Sequence, residues 1–430
     1  MGGKIDKFIQ EGGLDRSSWG ILVQNLHSEE ILYSRLPQQY FLPASNAKIL
    51  TTTAALLKFG AYFQITTPIY TTGNIPHLTS LRIVGRGDPS FTTATLQDLA
   101  TELEERGVTR IDELIIEDSY FPSGGINPTW EWEDVYSYWG VSVTSLILNE
   151  NAVTLTLFPG ELGDPVRLEW GDIIAGRQWE VENKTVTGSE GTPYGVKINP
   201  GFGERVLHIT GELGIDVEED IWGLAVPDPA GYFLNTFHRV LLERGIEIGS
   251  GVVTHDPREH YGVPFLEITS PPLSLLLQKT NTESNNLYAE TLFQLLGGEE
   301  GVEEVLTGLG VASDSYALVD GSGLSRHNLL TPKGIVDTLR LIAGTQEWEV
   351  FRESLPVAGV SGTLPNRFMN TKLFMQAKTG TLTGVSALSG YLTIPGGETL
   401  VFSIMVNHSP ESVRVLRRAM DDLVLLFSCF

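Results

Sequence analysis

Leu42 to Leu56 reads LPASNAKILTTTAAL, and this stretch decides the fold. Pro43 and the Ser45-Asn46 step are a helix start signal, the Ala, Ile and Leu that follow carry the run, and Gly60 ends it. The pattern predicts a largely apolar, buried helix from Ala44 to Gly60. Ser45 and Lys48 stand three apart, and residues three apart on a helix share a face. A serine hydroxyl becomes a nucleophile only when a base within hydrogen-bond reach takes its proton. Ser45 also stands at the positive end of the helix dipole. The plainer alternative is an N-cap serine with a surface lysine one turn on. Against it stands the neighbourhood, because an ammonium is costly among Ile, Leu, Ala and Thr. A lysine at its free value of about 10.4 is neutral in about one molecule in a few thousand at pH 7. A fall to about 7.4, costing roughly 4 kcal/mol, makes it a usable base.

Outward from this helix, Trp19 to Ser34 (WGILVQNLHSEEILYS) reads as a hairpin at the edge of a larger sheet. Gly384 to Ile394 and Glu398 to Asn407 alternate around Pro395-Gly396-Gly397 and predict a second hairpin with one apolar face. Helices are expected at Leu287 to Leu296, at Thr331 to Ala343 behind a Thr-Pro start, and from Pro410 to the C-terminus. Between Tyr62 and Gly262 the texture changes to short strands and glycine turns, with a strand-helix-strand passage at Leu81 to Ile116 and an amphipathic helix at Asp228 to Gly245.

The chain has 430 residues and a net charge of -24, and a surface of that sign repels phosphate backbones, which speaks against nucleic-acid partners. No run of 18 apolar residues marks a transmembrane segment. The single cysteine, Cys429, supports neither a disulfide framework nor a cysteine zinc site within one chain. HExxH, GxSxG, GxxxxGK and GxGxxG patterns are missing, so zincin, hydrolase-elbow and nucleotide readings lose their usual support.

Two further triplets stand beside Ser45-Asn46-Ala47-Lys48: Ser284-Asn285-Asn286 (SxN) and Lys378-Thr379-Gly380 (KTG). Residue frequencies alone give about 0.7 SxxK, about 1.1 SxN and about 0.1 KTG in such a chain, so order and context decide. Alone, the SxN step is a helix cap before LYAETLFQLL. In a site, the Ser284 hydroxyl relays a proton to a leaving amine and the Asn286 amide holds a carbonyl. Alone, KTG is a turn glycine beside a surface lysine. In a site it opens a strand that offers backbone donors; Lys378 is a second cation acting on Lys48, Lys378 and Thr379 suit a carboxylate, and Gly380 leaves room for close approach.

The three triplets in this order are the set of penicillin-binding proteins and class A β-lactamases. More specifically, the chain resembles the D-alanyl-D-alanine carboxypeptidase/endopeptidase family of low-molecular-mass class C penicillin-binding proteins, the DacB type. In that family a roughly 200-residue insert separates SxxK from SxN, as a long stretch separates Lys48 from Ser284 here. VGRGDPSF, WEWED, LNENAVTLTLFPG, VPDPAGYF, VDGSGLSRHNLLTP and AKTGTLTGVSALSGY carry the likeness nearly to the C-terminus. Many relatives have Asp at the middle of the second triplet, where this chain has Asn285.

The resemblance implies Ser45 as the acylated nucleophile, Lys48 as its base, Ser284 with Asn286 as the relay, and Lys378 with Thr379 at the substrate carboxylate. The backbone N–H groups of Ser45 and Thr381 would form the oxyanion hole. Asp134, Trp139, Arg326 and Thr383 are its candidates for recognising a peptidoglycan stem. The implied fold is α/β (α+β), an antiparallel transpeptidase-like sheet flanked by helices. Residues 1–66 plus 268–430 would form it, interrupted by a 67–267 insert, itself an α/β part (67–154 plus 212–267) around a small β subdomain (155–211). The implied activity is serine D-Ala-D-Ala carboxypeptidase or endopeptidase action through an acyl-enzyme, with β-lactams acylating the same serine and no metal or cofactor. Rival readings are a β-lactamase or esterase on the same fold and an inert wall-binding protein. The expected location is periplasmic or otherwise extracytoplasmic, with a signal peptide absent or removed; a homo-oligomer stays open.

Overall fold

Strands Val385–Thr393 and Thr399–Asn407 bury almost every residue. That marks a sheet covered on both faces. The expectation of one apolar face is corrected here: a strand with helices above and below has no face left for polar residues. The computed structural model describes residues 2–12, 14–121, 125–201, 203–258, 261–369 and 371–428. Cys429 lies outside them. The chain divides into two units, Met1–Gln64 with Pro271–Phe430, and Ile65–Ser270.

The first unit is built on a five-stranded antiparallel sheet in the order Phe374–Leu382, Val385–Thr393, Thr399–Asn407, Ser18–Asn25, Ile31–Arg35. Its centre joins the two ends of the unit, with Ser18 opposite Asn407 and Asn25 opposite Leu400. On one face, Ile5 and Ile9 of helix Gly2–Glu11 and Leu416, Met420, Leu423 and Phe427 of helix Val413–Phe427 pack on Trp19, Ile21, Met375, Ala377, Leu388 and Phe402. The N-terminal helix is not legible in sequence, since three apolar side chains, Ile5, Phe8 and Ile9, follow two glycines in ten residues. On the other face lies helix Pro332–Ile342, and beyond it the buried helix Ala47–Phe59, surrounded by helices Leu273–Thr282, Asn286–Leu296 and Gly298–Leu309.

Helix Ala47–Phe59 buries every residue from Ala47 to Leu56. It does not start at Ala44. Ala44–Asn46 form a 3-10 turn, entered through Ala44 at φ 47°. A left-handed alanine costs about 1–3 kcal/mol and persists only where its surroundings hold it. Here Asn407 clamps the approach, its Oδ1 accepting from the Leu42 N–H at 2.7 Å and its Nδ2 donating to the Leu42 carbonyl at 3.1 Å.

Two glycines bring chain against this turn. A Cβ on Gly380 would lie 2.8 Å from the Pro43 oxygen and 3.1 Å from the Ser45 nitrogen. One on Gly323, at φ 83°, would lie 1.8 Å from the Ala44 oxygen. No side chain fits at either.

The second unit holds a five-stranded sheet in which Glu247–Thr254, Arg110–Glu117 and His77–Val84 run parallel. Helix Thr93–Glu105 connects the last two, as a parallel pair requires. Two three-stranded sheets complete it. Strand Ala152–Phe158 pairs with Asp220–Ala225, so a subdomain confined to 155–211 would cut through a hydrogen-bonded ladder.

Gly323→Ala is expected to destabilise the first unit by about 2–4 kcal/mol through overpacking and left-handed strain. A denaturant midpoint unchanged from wild type would contradict the close approach.

Candidate active site

Lys48 is completely buried. Its Nζ has three partners: Ser45 Oγ at 3.0 Å, Asn286 Oδ1 at 2.6 Å and the Ser322 carbonyl at 2.8 Å. Two of these only accept, and the third is a hydroxyl. A neutral amine has two N–H donors and one lone pair. The two donors match the two acceptors, which leaves the lone pair to take the Ser45 proton. The ammonium satisfies the same three partners with three donors, so proton transfer needs no rearrangement of the cage.

Burial pushes the Lys48 amine down to about 7, against the opposing pull of the Asp320 and Glu290 carboxylates. Lys378 is also fully buried and is pushed well below the ordinary lysine range, first by burial and then by the charge on Lys48. Burial is thus the main cause that lowers both amines, and each cation disfavours the charge on the other. Lys378 Nζ donates to Ser284 Oγ at 2.7 Å and to the Thr379 carbonyl at 3.0 Å. Its open side is thus turned to the second triplet.

Ser284 sits at φ 61°, and Asn285 caps helix Asn286–Leu296, its Oδ1 accepting from the Tyr288 N–H at 3.1 Å. The cap starts the helix at Asn286, which fixes that amide against Lys48. The middle residue of the triplet thus has a structural duty that an aspartate performs equally well.

Strand Phe374–Leu382 is an edge of its sheet. Its unbroken antiparallel register makes alternate residues turn their backbone to the open side. The Ala377 N–H donates outward to the Pro356 carbonyl at 3.0 Å, and the Met375 carbonyl accepts outward from Ala358 at 3.0 Å. Thr379 and Thr381 have the same parity, so their N–H groups face the open edge, where Gly380 closes on Ser45. The Thr379 hydroxyl donates to Thr363 Oγ1 at 2.7 Å.

Several residues of this cage were not singled out from sequence. Asp320 accepts from the Gly323 N–H at 2.7 Å, the Ser325 N–H at 2.6 Å and Asn328 Nδ2 at 2.7 Å, which folds the DGSGLS loop and sets the Ser322 carbonyl on Lys48. Glu290 accepts from the Ser322 N–H at 2.7 Å, and burial, then the charge on Asp320, raises it to about 8. Asn46 Nδ2 donates to Ser389 Oγ at 2.7 Å, which donates to Ser403 Oγ at 2.9 Å, tying the turn to the sheet. The one available signal was the acidic residue in VDGSGLS and in LYAETL, inside otherwise apolar or small-residue runs.

Of the four stem-recognition candidates, Arg326 and Thr383 meet: Arg326 Nη1 donates to the Thr383 carbonyl at 3.2 Å. Asp134 and Trp139 belong to the second unit, where Trp139 Nε1 donates to Asp134 Oδ1 at 2.8 Å and its ring meets Tyr138 edge-on.

The sequence matches the D-Ala-D-Ala carboxypeptidase 3 (S13) family over residues 1–425. It is 33% identical over 436 residues to a D-alanyl-D-alanine carboxypeptidase of Actinomadura sp. (strain R39), across 94% of this chain and 80% of that protein. The fold superposes on penicillin binding protein 4 (dacB) from Haemophilus influenzae with a TM-score of 0.86, 25% identity and 99% of each chain covered. It matches the complex of that protein with a novel β-lactam at a TM-score of 0.80, again with 25% identity and 99% of each chain covered.

The side-chain carbon next to the Lys48 nitrogen is expected to titrate with a midpoint near about 7, against about 10.4 for exposed lysines. A pH series of carbon-detected NMR spectra with a Lys48→Arg assignment control measures it, and a midpoint above 9 would refute a neutral amine at physiological pH.

Proposed function

Because the chain belongs to the D-Ala-D-Ala carboxypeptidase 3 (S13) family of serine peptidases, we propose that it hydrolyses D-Ala-D-Ala bonds of peptidoglycan stem peptides through an acyl-enzyme on Ser45. The observation that carries this reading is the three-partner cage of Lys48, which leaves one lone pair directed at one hydroxyl.

Lys48 takes the proton of Ser45 as Oγ bonds to the carbonyl carbon. The charge that develops on the carbonyl oxygen is met by the N–H groups of Ser45 and Thr381, preorganised donors that cost no rearrangement when the charge appears. Collapse of the tetrahedral adduct breaks the carbon–nitrogen bond. Ser284 gives its proton to the departing nitrogen and is reprotonated from Lys48. The net transfer is from Ser45 to the leaving amine, and Lys48 is neutral again; Lys378 holds Ser284 in place through their hydrogen bond. Water then attacks the ester, with Lys48 again the base. Asn286 and the Ser322 carbonyl hold the amine in place through both steps. Asp134, Trp139, Arg326 and Thr383 are the proposed contacts to the stem.

A β-lactam presents a strained amide to the same serine, and acylation of Ser45 by penicillins is part of the proposal. The complex of the Haemophilus influenzae protein with a β-lactam supports it. An extracytoplasmic location is proposed from the place of the substrate. No helix among the described residues is long and apolar enough to cross a membrane.

Intact protein is expected to take up a labelled penicillin and release D-alanine from a stem pentapeptide, with kcat/KM rising with pH across about 7 as Lys48 loses its proton. Ser45→Ala should abolish both, and Ser284→Ala should slow peptide turnover by roughly 10²–10⁴-fold. Label uptake by Ser45→Ala would overturn the assignment of the nucleophile.

A further inference from the structure

Side chains on a strand alternate between faces, and this separates the parts of the KTG segment. Met375 and Ala377 pack in the core beneath helix Val413–Phe427, so Thr379 and Thr381 present their side chains on that same face. Lys378 points to the opposite face, is buried, and spends its donors on Ser284 and the Thr379 carbonyl. A carboxylate seated on the two threonine hydroxyls therefore needs its positive charge from elsewhere.

Among the described residues, a cation reaches the threonine face. Arg417, exposed on helix Val413–Phe427, donates from Nη2 to Thr381 Oγ1 at 3.3 Å. Arg414 and Arg418 are exposed beside it, and the first turn of this helix carries no acidic residue. Only Arg414 stands in the first turn, where a cation opposes the helix dipole; Arg417 lies in the second turn, so the dipole accounts for neither. The charge of Arg417 acts on Asp421 one turn on, without an ion pair between them. Asp421, one turn beyond Arg417, forms its ion pair with Arg367, whose Nε donates to it at 2.9 Å. Among the described residues Arg417 has no ion pair, and a guanidinium offers two parallel N–H groups to an incoming carboxylate.

We propose that Arg417 is a specificity determinant that reads the free C-terminal carboxylate of the departing residue, with the Thr379 and Thr381 hydroxyls completing the seat. This deepens the peptidase reading above and rests on it. A substrate whose chain continues past the scissile bond, or whose end is amidated, lacks that charge. The arginine thus favours trimming of free stem ends.

The test compares one acyl-D-Ala-D-Ala peptide as free acid and as C-terminal amide, and reads the ratio of their kcat/KM values. Arg417→Gln is expected to lower this ratio by about 10- to 100-fold, the loss of a charged hydrogen-bond pair. Arg417→Lys should restore part of it. Added salt should lower the ratio for wild type and leave it flat for Arg417→Gln. An unchanged ratio in Arg417→Gln, or equal losses on both peptides, overturns the proposal, as does collapse of the ratio in Arg326→Gln alone. A wild-type protein that releases D-alanine from neither peptide removes the peptidase reading itself.

Discussion

An amine removed from water must either lose its proton or find compensating charge, and the first unit is organised around that requirement at Lys48. Burial lowers the amine, two carboxylates hold it from falling further, and three partners fix its position. The balance matters because a base far below neutrality holds a proton too weakly to take one from an alcohol. One near neutrality serves both directions of transfer. Helix Ala47–Phe59 is buried from Ala47 to Leu56, which keeps its lysine dry.

Rigid placement comes from the sheet. Asn407 holds Leu42, the Asn46–Ser389–Ser403 chain holds the turn, and the edge strand lies against Ser45 with only a glycine between. Ala44 and Ser284 both occupy left-handed backbone without being glycine. Such strain collects where surrounding contacts over-determine the chain. Here it flanks two hydroxyls that hydrogen-bond to lysines.

The three triplets were legible from spacing and order, and so were the helix, the junction and the strand that carry them. The antiparallel sheet was readable from alternation, but its burial on both faces was not, because periodicity does not report what lies above a strand. Asp320, Glu290 and Asn407 escaped notice for a related reason. Their importance lies in what they accept or donate, Asp320 within its own loop and Glu290 and Asn407 to distant backbone, and a single acidic or amide side chain has no spacing signature. Sequence identifies two cations in one site but not which face of its strand Lys378 occupies. Parity along Phe374–Leu382 supplies that, once Met375 and Ala377 are known to be core.

The sheet of the first unit pairs Ser18–Asn25 with Thr399–Asn407. During synthesis the nucleophile turn emerges early, yet the strands that support it, and the edge that confronts it, are made last. Long-range pairings of this kind must wait for loop closure before they are rewarded. A ribosome-bound chain therefore carries Ser45 without its opposing edge strand until that strand is made. Assembly of the catalytic centre waits for the last strands of this unit, a delay that needs no inhibitor and is written into their order.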